Sequence, residues 1–340
     1  MGAPAAGGLT MLKVPLDILP EDATDRHRAL RDYFCDKDAE ALRNGDGWEL
    51  KLFWPGGEER HVDPKLEEGL RLWGGIGLNQ MPMAQRRSGR VLRALYDTWT
   101  LHSWSEWFRG TDHASGETLT ILHIDDHRDL GSPRLFRRSG RWVDSITGEV
   151  FEFDDPASVR SAIESGAVGM GSFLTPVLHR FPEADVRQLG QAPKVTGTTD
   201  YRVELTTEPD CMLEPGAERP AVKLHTGVEG TGPRRYRITD DPARWVEDVR
   251  PGPVLLHIDM DYFNNRYDGD GDWRERAEVL DPELNKVLVE IDRVTATLRD
   301  SGIVSQIGDA VVAFSPGFFP AELWEPADRK LQEGLEELYG

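Results

Sequence analysis

Two short acidic strings echo one another, His123-Ile-Asp-Asp-His-Arg-Asp129 and His257-Ile-Asp-Met-Asp261. Each follows an apolar, β-branched run, residues 118–124 and 254–258. Where the chain stays extended, period two sends Asp125, His127 and Asp129 in one direction, and Asp259 and Asp261 likewise. Carboxylates crowded into a cleft repel one another and lose hydration unless cations neutralise them. Five aspartates, with Asp126 the fifth, and a histidine offer oxygen and imidazole donors suited to hard or borderline divalent cations. More than four ligands with a shared carboxylate fit two ions better than one. Such a pair, roughly 3.5–4 Å apart, acidifies a water held between its members. Asp126 and Asp129 could instead cap helices, but repetition of the pattern after two separate strands favours metal binding.

The elements that must position these residues are legible in outline. The run 118–124 is nearly continuous and apolar, as in a strand buried on both faces of a parallel sheet, and 254–258 matches it. Further strands are expected at 166–170, 303–306 and 310–314, with helices at 156–165 and 282–301 between them. This alternation predicts an α/β fold with a central parallel sheet. Acidic residues at strand C-termini then lie where ligands bind in open α/β sheets. Ahead of this, residues 1–90 read as an accessory region. It holds a helix over 22–42 and a hairpin pairing 48–54 with 58–62, with a basic helix following at 85–109. Residues 91–330 would form the catalytic domain. Within it, 183–250 is rich in Gly, Pro and Thr and reads as an insertion between core strands.

Composition narrows the class. The 340 residues suffice for a large core, and a hydrophobic fraction of 39% with 29% charged residues describes a globular chain. No apolar stretch approaches the ~20 residues of a membrane span, and the first residues lack the regions of a signal peptide; a cytoplasmic location is expected. Two cysteines, Cys35 and Cys211, do not make a disulfide framework or a thiolate zinc site. A net charge of −20 disfavours nucleic acid and anionic membranes and is compatible with a cationic substrate or with solubility alone. Nothing in the sequence sets an oligomeric state.

The strings Leu122-His-Ile-Asp-Asp-His-Arg-Asp-Leu130 and His257-Ile-Asp-Met-Asp-Tyr-Phe-Asn-Asn-Arg266 resemble the signature of the ureohydrolase superfamily (arginases, agmatinases and deacetylases), and within it the peptide arginases. Gly171-Ser-Phe-Leu-Thr-Pro176 and Ser315-Pro-Gly-Phe-Phe-Pro320 add to the likeness, which spans residues 95–325. The resemblance implies a three-layer α/β/α arginase-like fold holding two Mn²⁺ or other divalent ions. It implies hydrolysis of the guanidino group of arginine in a ribosomally made peptide, to ornithine and urea. Carried across by motif, Asp125 and Asp259 would bridge the ions, Asp129 would bind the first, and His127 and Asp261 the second. The superfamily also uses an upstream histidine, for which His102 has suitable spacing and His113 is the other candidate. Two departures, Asp126 where a small residue is usual and Asn264 where free-arginine arginases carry Asp, point away from free arginine.

Other residues follow from position. His123 and His257 share strand parity with Asp125 and Asp259 and could lie beneath the ions, orienting their ligands. Asp129, His127 or His179 could protonate the leaving amine, although His179 also reads as structural. Glu106 falls one helical turn after His102 and could orient it or bind a guanidinium; Asp309 and Glu322 are alternative partners for a substrate cation. Asn264, Asn265 and Arg266 should line the mouth and contact a peptide. Trp99, Trp104 and Trp107 read as core. Asp268-Gly-Asp-Gly-Asp272 resembles a calcium loop without its required glycine and glutamate, and reads as a polar loop. Two other enzymes fit the same ligands, a deacetylase-like amide hydrolase and an agmatinase-like small-molecule hydrolase. The non-enzymatic alternative is a metal-stabilised peptide-binding module.

Overall fold

The computed structural model describes residues 12–57, 60–111, 118–227, 234–269 and 271–339. The N-terminal part comprises β1 (Leu12–Pro15), α1 (Ala23–Phe34), β2 (Asp38–Asn44), β3 (Gly47–Phe53) and α2 (Leu66–Leu72). The Asp22 carboxylate starts α1 by accepting the Thr24 and Asp25 N–H groups, the usual N-cap bond. The helix expected to reach residue 42 stops at Phe34. Cys35 turns left-handed (φ 54°), and the next residue, Asp36, is buried with its carboxylate on the Met170 N–H. Residues beyond it become β2, which pairs with β3 across Gly45 in an antiparallel sheet ordered β1-β3-β2. Thus β3 pairs backwards to 38–44, not forwards; of the expected partner 58–62, residues 60–62 are not a strand and 58–59 lie outside the described residues.

A nine-stranded sheet organises the rest. In chain order it draws on β4 (Gln85–Ser88), β5 (Val91–Ala94), α3 (Trp99–Gly110) and β6 (Thr120–Ile124), followed by a small antiparallel sheet of β7 (Leu135–Arg138), β8 (Arg141–Asp144) and β9 (Val150–Phe151). Then come α4 (Pro156–Ser165), α5 (Leu174–Arg180), β10 (Asp185–Leu189), β11 (Thr199–Pro209), β12 (Glu218–His225) and β13 (Arg235–Thr239). The chain closes with α6 (Pro242–Val246), β14 (Val254–Asp259), α7 (Leu284–Ser301), β15 (Ile307–Ala313) and α8 (Trp324–Tyr339). The large sheet runs β12-β11-β13-β10-β6-β14-β15-β5-β4, and its six central strands, β13 to β5, are parallel. Antiparallel β11–β12 and β4 extend the two edges, so the sheet is mixed, not wholly parallel.

From β5 the chain moves through β6 and β10 to β13 at one side, then returns to β14 and steps the other way to β15. Right-handed crossovers place the connections made in opposite directions on opposite faces. Accordingly α3 packs with α4 and α5, and α7 packs with α6 and α8, giving three layers. The chain leaves the adjacent strands β6 and β14 in opposite directions, so the crevice at their C-terminal ends is a topological switch point, the usual ligand position in such sheets.

Several expected elements differ. The segment 85–109 is a hairpin, turning at Gly89, followed by α3. Residues 166–170 are a loop begun by the left-handed Gly166 that ends α4, and 303–306 are a 3₁₀ turn ahead of β15. The segment 183–250 supplies two central strands, with the β11–β12 hairpin at the sheet edge and the short helix α6 besides. Charged residues hid these strands: Arg187 and Arg235, both buried, donate to the buried Asp185 carboxylate at 3.0 and 2.7 Å. The boundary expected at residue 90 falls inside the β4–β5 hairpin, and α8 continues past residue 330. One core cluster includes Trp48 and Phe34 of the N-terminal part with Leu256 and Val311 of the central sheet. Trp99 and Trp104 are fully buried in it. No helix among the described residues is long and apolar enough to cross a membrane.

Candidate metal centre

Strands β6 and β14 pair in register, His123 opposite His257 and Ile124 opposite Ile258. Beyond them the two acidic strings make the same local turn. The Asp125 carboxylate accepts the His127 N–H at 2.5 Å, and the Asp259 carboxylate accepts the Asp261 N–H at 3.0 Å. An aspartate bonding the N–H two residues on is a favoured local motif, and it fixes the Asp-x-His and Asp-x-Asp spacing. The turns then interlock. His127 Nδ1 lies 2.9 Å from one oxygen of Asp261, whose other oxygen accepts the Asp126 N–H at 3.2 Å. From β10, Gln188 donates its amide to the carbonyls of Asp125 and His127 and is itself held by the Tyr236 hydroxyl at 2.7 Å.

Asp125, Asp129, Asp259 and Asp261 are all buried, and Asp129, Asp259 and Asp261 line a cavity of about 430 Å³ together with His127. Two non-glycine cavity residues hold left-handed backbone, Asp129 (φ 52°) and Ser315 (φ 44°). Such strain costs about 1–3 kcal/mol per residue and gathers at functional sites. Ser315 Oγ donates to Asp259 at 2.6 Å. Burial, reinforced by the neighbouring carboxylates, pushes Asp125 and Asp259 well above the ordinary carboxylate range. Burial raises Asp129 to about 6, opposed by its hydrogen bond with Asp125. Burial by itself would lower His127, yet Asp261, Asp125 and Asp268 outweigh it and hold the imidazole well above its usual value.

Beneath the aspartates, His123 Nδ1 and His257 Nδ1 meet at 3.0 Å. His123 Nε2 lies 3.2 Å from the His127 carbonyl, which can only accept; His123 therefore donates there and accepts from His257. Burial lowers His123 to about 3 and, with His123 beside it, His257 far below normal, so the pair stays neutral. His123 Nε2 lies 3.6 Å from Asp125 and 3.8 Å from Asp129.

Two groups here could hold a metal ion, His123–Asp125–Asp129–His257 and Asp125–His127–Asp261, and they share Asp125. The residues fit a cation on physical grounds. Buried Asp125 Oδ2 and Asp129 Oδ2 have no hydrogen-bond partner, and among the described residues no Lys or Arg pairs with either carboxylate. The donors are oxygen and nitrogen without sulfur, the set that suits hard and borderline divalent ions.

A third group, Asp126–His127–Asp268, is differently made. Lys194 Nζ stands 2.7 Å from Asp126, 2.8 Å from Asp268 and 3.1 Å from His127 Nε2. Asn265 donates to both carboxylates at 2.6 and 2.8 Å, and Arg276 pairs with Asp268 at 2.6 Å. The hydrogen bonds and charges of His127 and Lys194 outweigh burial and hold Asp268 below its ordinary range. The unusual Asp126 is thus neutralised within the chain.

Other expected site residues lie elsewhere. His102 sits in α3, edge-on to Trp99 and 3.7 Å from Glu106, outside the cavity; half-exposed Glu106 is equally remote, and His113 lies outside the described residues. His179 bonds the Ala221 carbonyl at 3.1 Å and packs against Trp142 beside a separate small pocket, so it is not a proton shuttle for the acidic cluster. Asn264 is buried and structural, bonding Asp281 at 2.9 Å and the Pro282 carbonyl at 3.0 Å. Arg266 pairs with Asp281 and Glu322, which leaves neither Arg266 nor Glu322 in the cavity wall, and Asp309 pairs with Arg87 at the opposite end of the sheet. Asn265 bonds Asp126 and Asp268 and does not line the cavity.

Sequence reasoning missed Asp97, Lys194 and Asp268. Asp97 follows a buried strand, as Asp125 and Asp259 do, but that signal was lost when 85–109 was read as helix. Asp268 was dismissed with its glycine-rich loop, and nothing near Lys194 in sequence marks it. Neither protein-family models nor curated proteins give a match to this chain.

Proposed function

We propose that this chain is a metal-dependent hydrolase that removes the guanidino group of arginine within a peptide, leaving ornithine and releasing urea. The observation that supports this reading best is the pair of interlocked acidic strand ends at the switch point, with two potential ion groups sharing Asp125 beside an open cavity. Asp125, Asp129 and Asp259 would hold one ion, and Asp125, His127, Asp259 and Asp261 the other. Divalent cations bound there, Mn²⁺ among those suited to the donors, would neutralise the carboxylates and acidify a water for attack on the guanidinium carbon.

The chain's own groups supply the rest. Ser315 orients Asp259, the neutral histidine pair supports Asp125 and Asp129 from below, and Asp268 orients His127 through its Nε2 at 2.9 Å. Met170 and Phe318 give the cavity apolar lining. Breaking the C–N bond leaves an amine that needs a proton. Asp129, in the cavity wall, is placed to take a proton from the attacking water and pass it to that amine.

The test is a urea-release assay on Mn²⁺-loaded protein with free arginine, agmatine and arginine-containing peptides, read by mass spectrometry. A peptide mass loss of about 42 Da, arginine becoming ornithine by hydrolysis, is the expected result. Two bound ions per chain with no urea from any of these compounds would overturn the guanidino assignment and direct the search to amide bonds.

A further inference from the structure

Two carboxylates lining the cavity, Asp97 and Asp259, stand outside both ion groups, and of these only Asp259 is bonded by a side chain, the Ser315 hydroxyl, among the described residues. Asp97 follows β5, whose Ala94 pairs with Ala313 of β15, and the pairing continues as the Ser315 N–H donates to the Leu95 carbonyl at 3.0 Å. This brings a third strand end to the cavity, across β15 from the Asp259 end. Asp97 is only 3% exposed. Its Oδ2 accepts the Gly171 N–H at 2.8 Å, while Oδ1 is buried with no partner. Left-handed Gly171 (φ 71°) separates Asp97 from the ion groups; a Cβ there would come within 3.8 Å of Asp129.

Among the described residues nothing cationic pairs with Asp97, and the charges it feels most, Asp129, Asp36 and Asp261, are all negative. Arg128, which also lines the cavity, has its guanidinium over the Tyr201 ring. The counter-charge of Asp97 must therefore come from outside the chain. A guanidinium suits that position. It is weakly hydrated, so desolvation costs it less than an ammonium, and its planar N–H groups can bond a carboxylate while the central carbon faces another group. Met170 and Phe318 supply apolar surface for the methylene stem.

We propose that Asp97 anchors the guanidinium of the arginine side chain, turning its carbon toward the acidic cluster; this rests on the hydrolase reading above. Asp97→Asn keeps the shape and the Gly171 bond but removes the charge. With Mn²⁺-loaded protein, the variant should keep wild-type metal content and melt no lower than the wild type while KM for an arginine peptide rises about 10- to 100-fold, the usual range for a lost charged hydrogen bond. It should also lose the preference for that peptide over its uncharged citrulline counterpart in a binding competition. Unchanged KM and preference would overturn the proposal, and so would a fall in bound Mn²⁺, which would make Asp97 a metal ligand. If the wild type releases no urea from any peptide, the hydrolase reading fails by itself. The arginine-against-citrulline comparison then still decides whether Asp97 recognises the cation.

Discussion

Two acidic groups meet at His127, and they are built on opposite principles. Behind the imidazole, Asp126 and Asp268 are neutralised by Lys194, Arg276 and Asn265 at 2.6–2.8 Å. In front, Asp125 and Asp129 leave buried oxygens unpartnered, and Asp97 beside them does the same. A buried charge without a partner is destabilising, whereas a paired one comes near to breaking even. The rear group therefore has its charges paired as the chain folds, although Asp126 Oδ1 also lacks a partner, while the front group is a fold-imposed strain that a cation would relieve. Position in the sheet makes the difference. The front group sits where three parallel strand ends bring like charges together, and the rear group is reached by loops that carry bases.

Removing a front carboxylate should have the largest effect. Asp259→Asn should abolish most Mn²⁺ loading and with it the metal-induced stabilisation, about 4 kcal/mol for an ion present at a thousand times its Kd. The same variant without metal should melt above the wild type, because one repelling charge is gone and the Ser315 hydroxyl can turn to accept from the new amide. Metal content and thermal unfolding with and without chelator measure both, and a lower melting point of the metal-free variant would break the comparison.

Acidity probes the same strain. Asp129 is raised from the ordinary carboxylate value of the unfolded chain to about 6. A raised carboxylate binds its proton more tightly in the folded state, so its contribution to stability is full below about pH 4 and lost as pH rises through about 6. The metal-free protein should lose stability across that window, while the stabilisation gained from Mn²⁺ should grow across it as the ligands deprotonate. Melting curves from pH 4 to 7, with Mn²⁺ and with chelator, should therefore diverge.

The rear group should respond more weakly and in the opposite sense. Lys194→Met leaves Asp126 unpaired by any lysine and should cost about 1–2 kcal/mol by denaturant unfolding, below the full penalty for a buried pair because the ammonium is partly exposed. Adding Asp126→Asn should recover much of that loss; strict additivity of the two substitutions would show that they do not interact. Smallest of all, His102→Ala should leave bound Mn²⁺ per chain unchanged.

The two acidic strings were legible because their geometry is local: an aspartate bonding the N–H two residues on sets Asp125 with His127, and Asp259 with Asp261, whatever the rest of the fold does. Strands β6 and β14 were equally plain, since both are buried throughout and carry little but apolar residues. Strands β10 and β13 were not, because Asp185, Arg187 and Arg235 look like surface residues until each is seen to neutralise another in the core. The helix read into 22–42 failed at Asp36, whose partner Met170 is distant in sequence. The sequence by itself thus determined the carboxylates of the two strand ends and their spacing, through bonds spanning two residues. Only the tertiary structure decided the strand order that brings Asp97 into the same cavity, sets His102 outside it, and lays Lys194 against Asp126 and Asp268. Strand pairing and charge compensation are contacts between distant segments, and no local pattern records them.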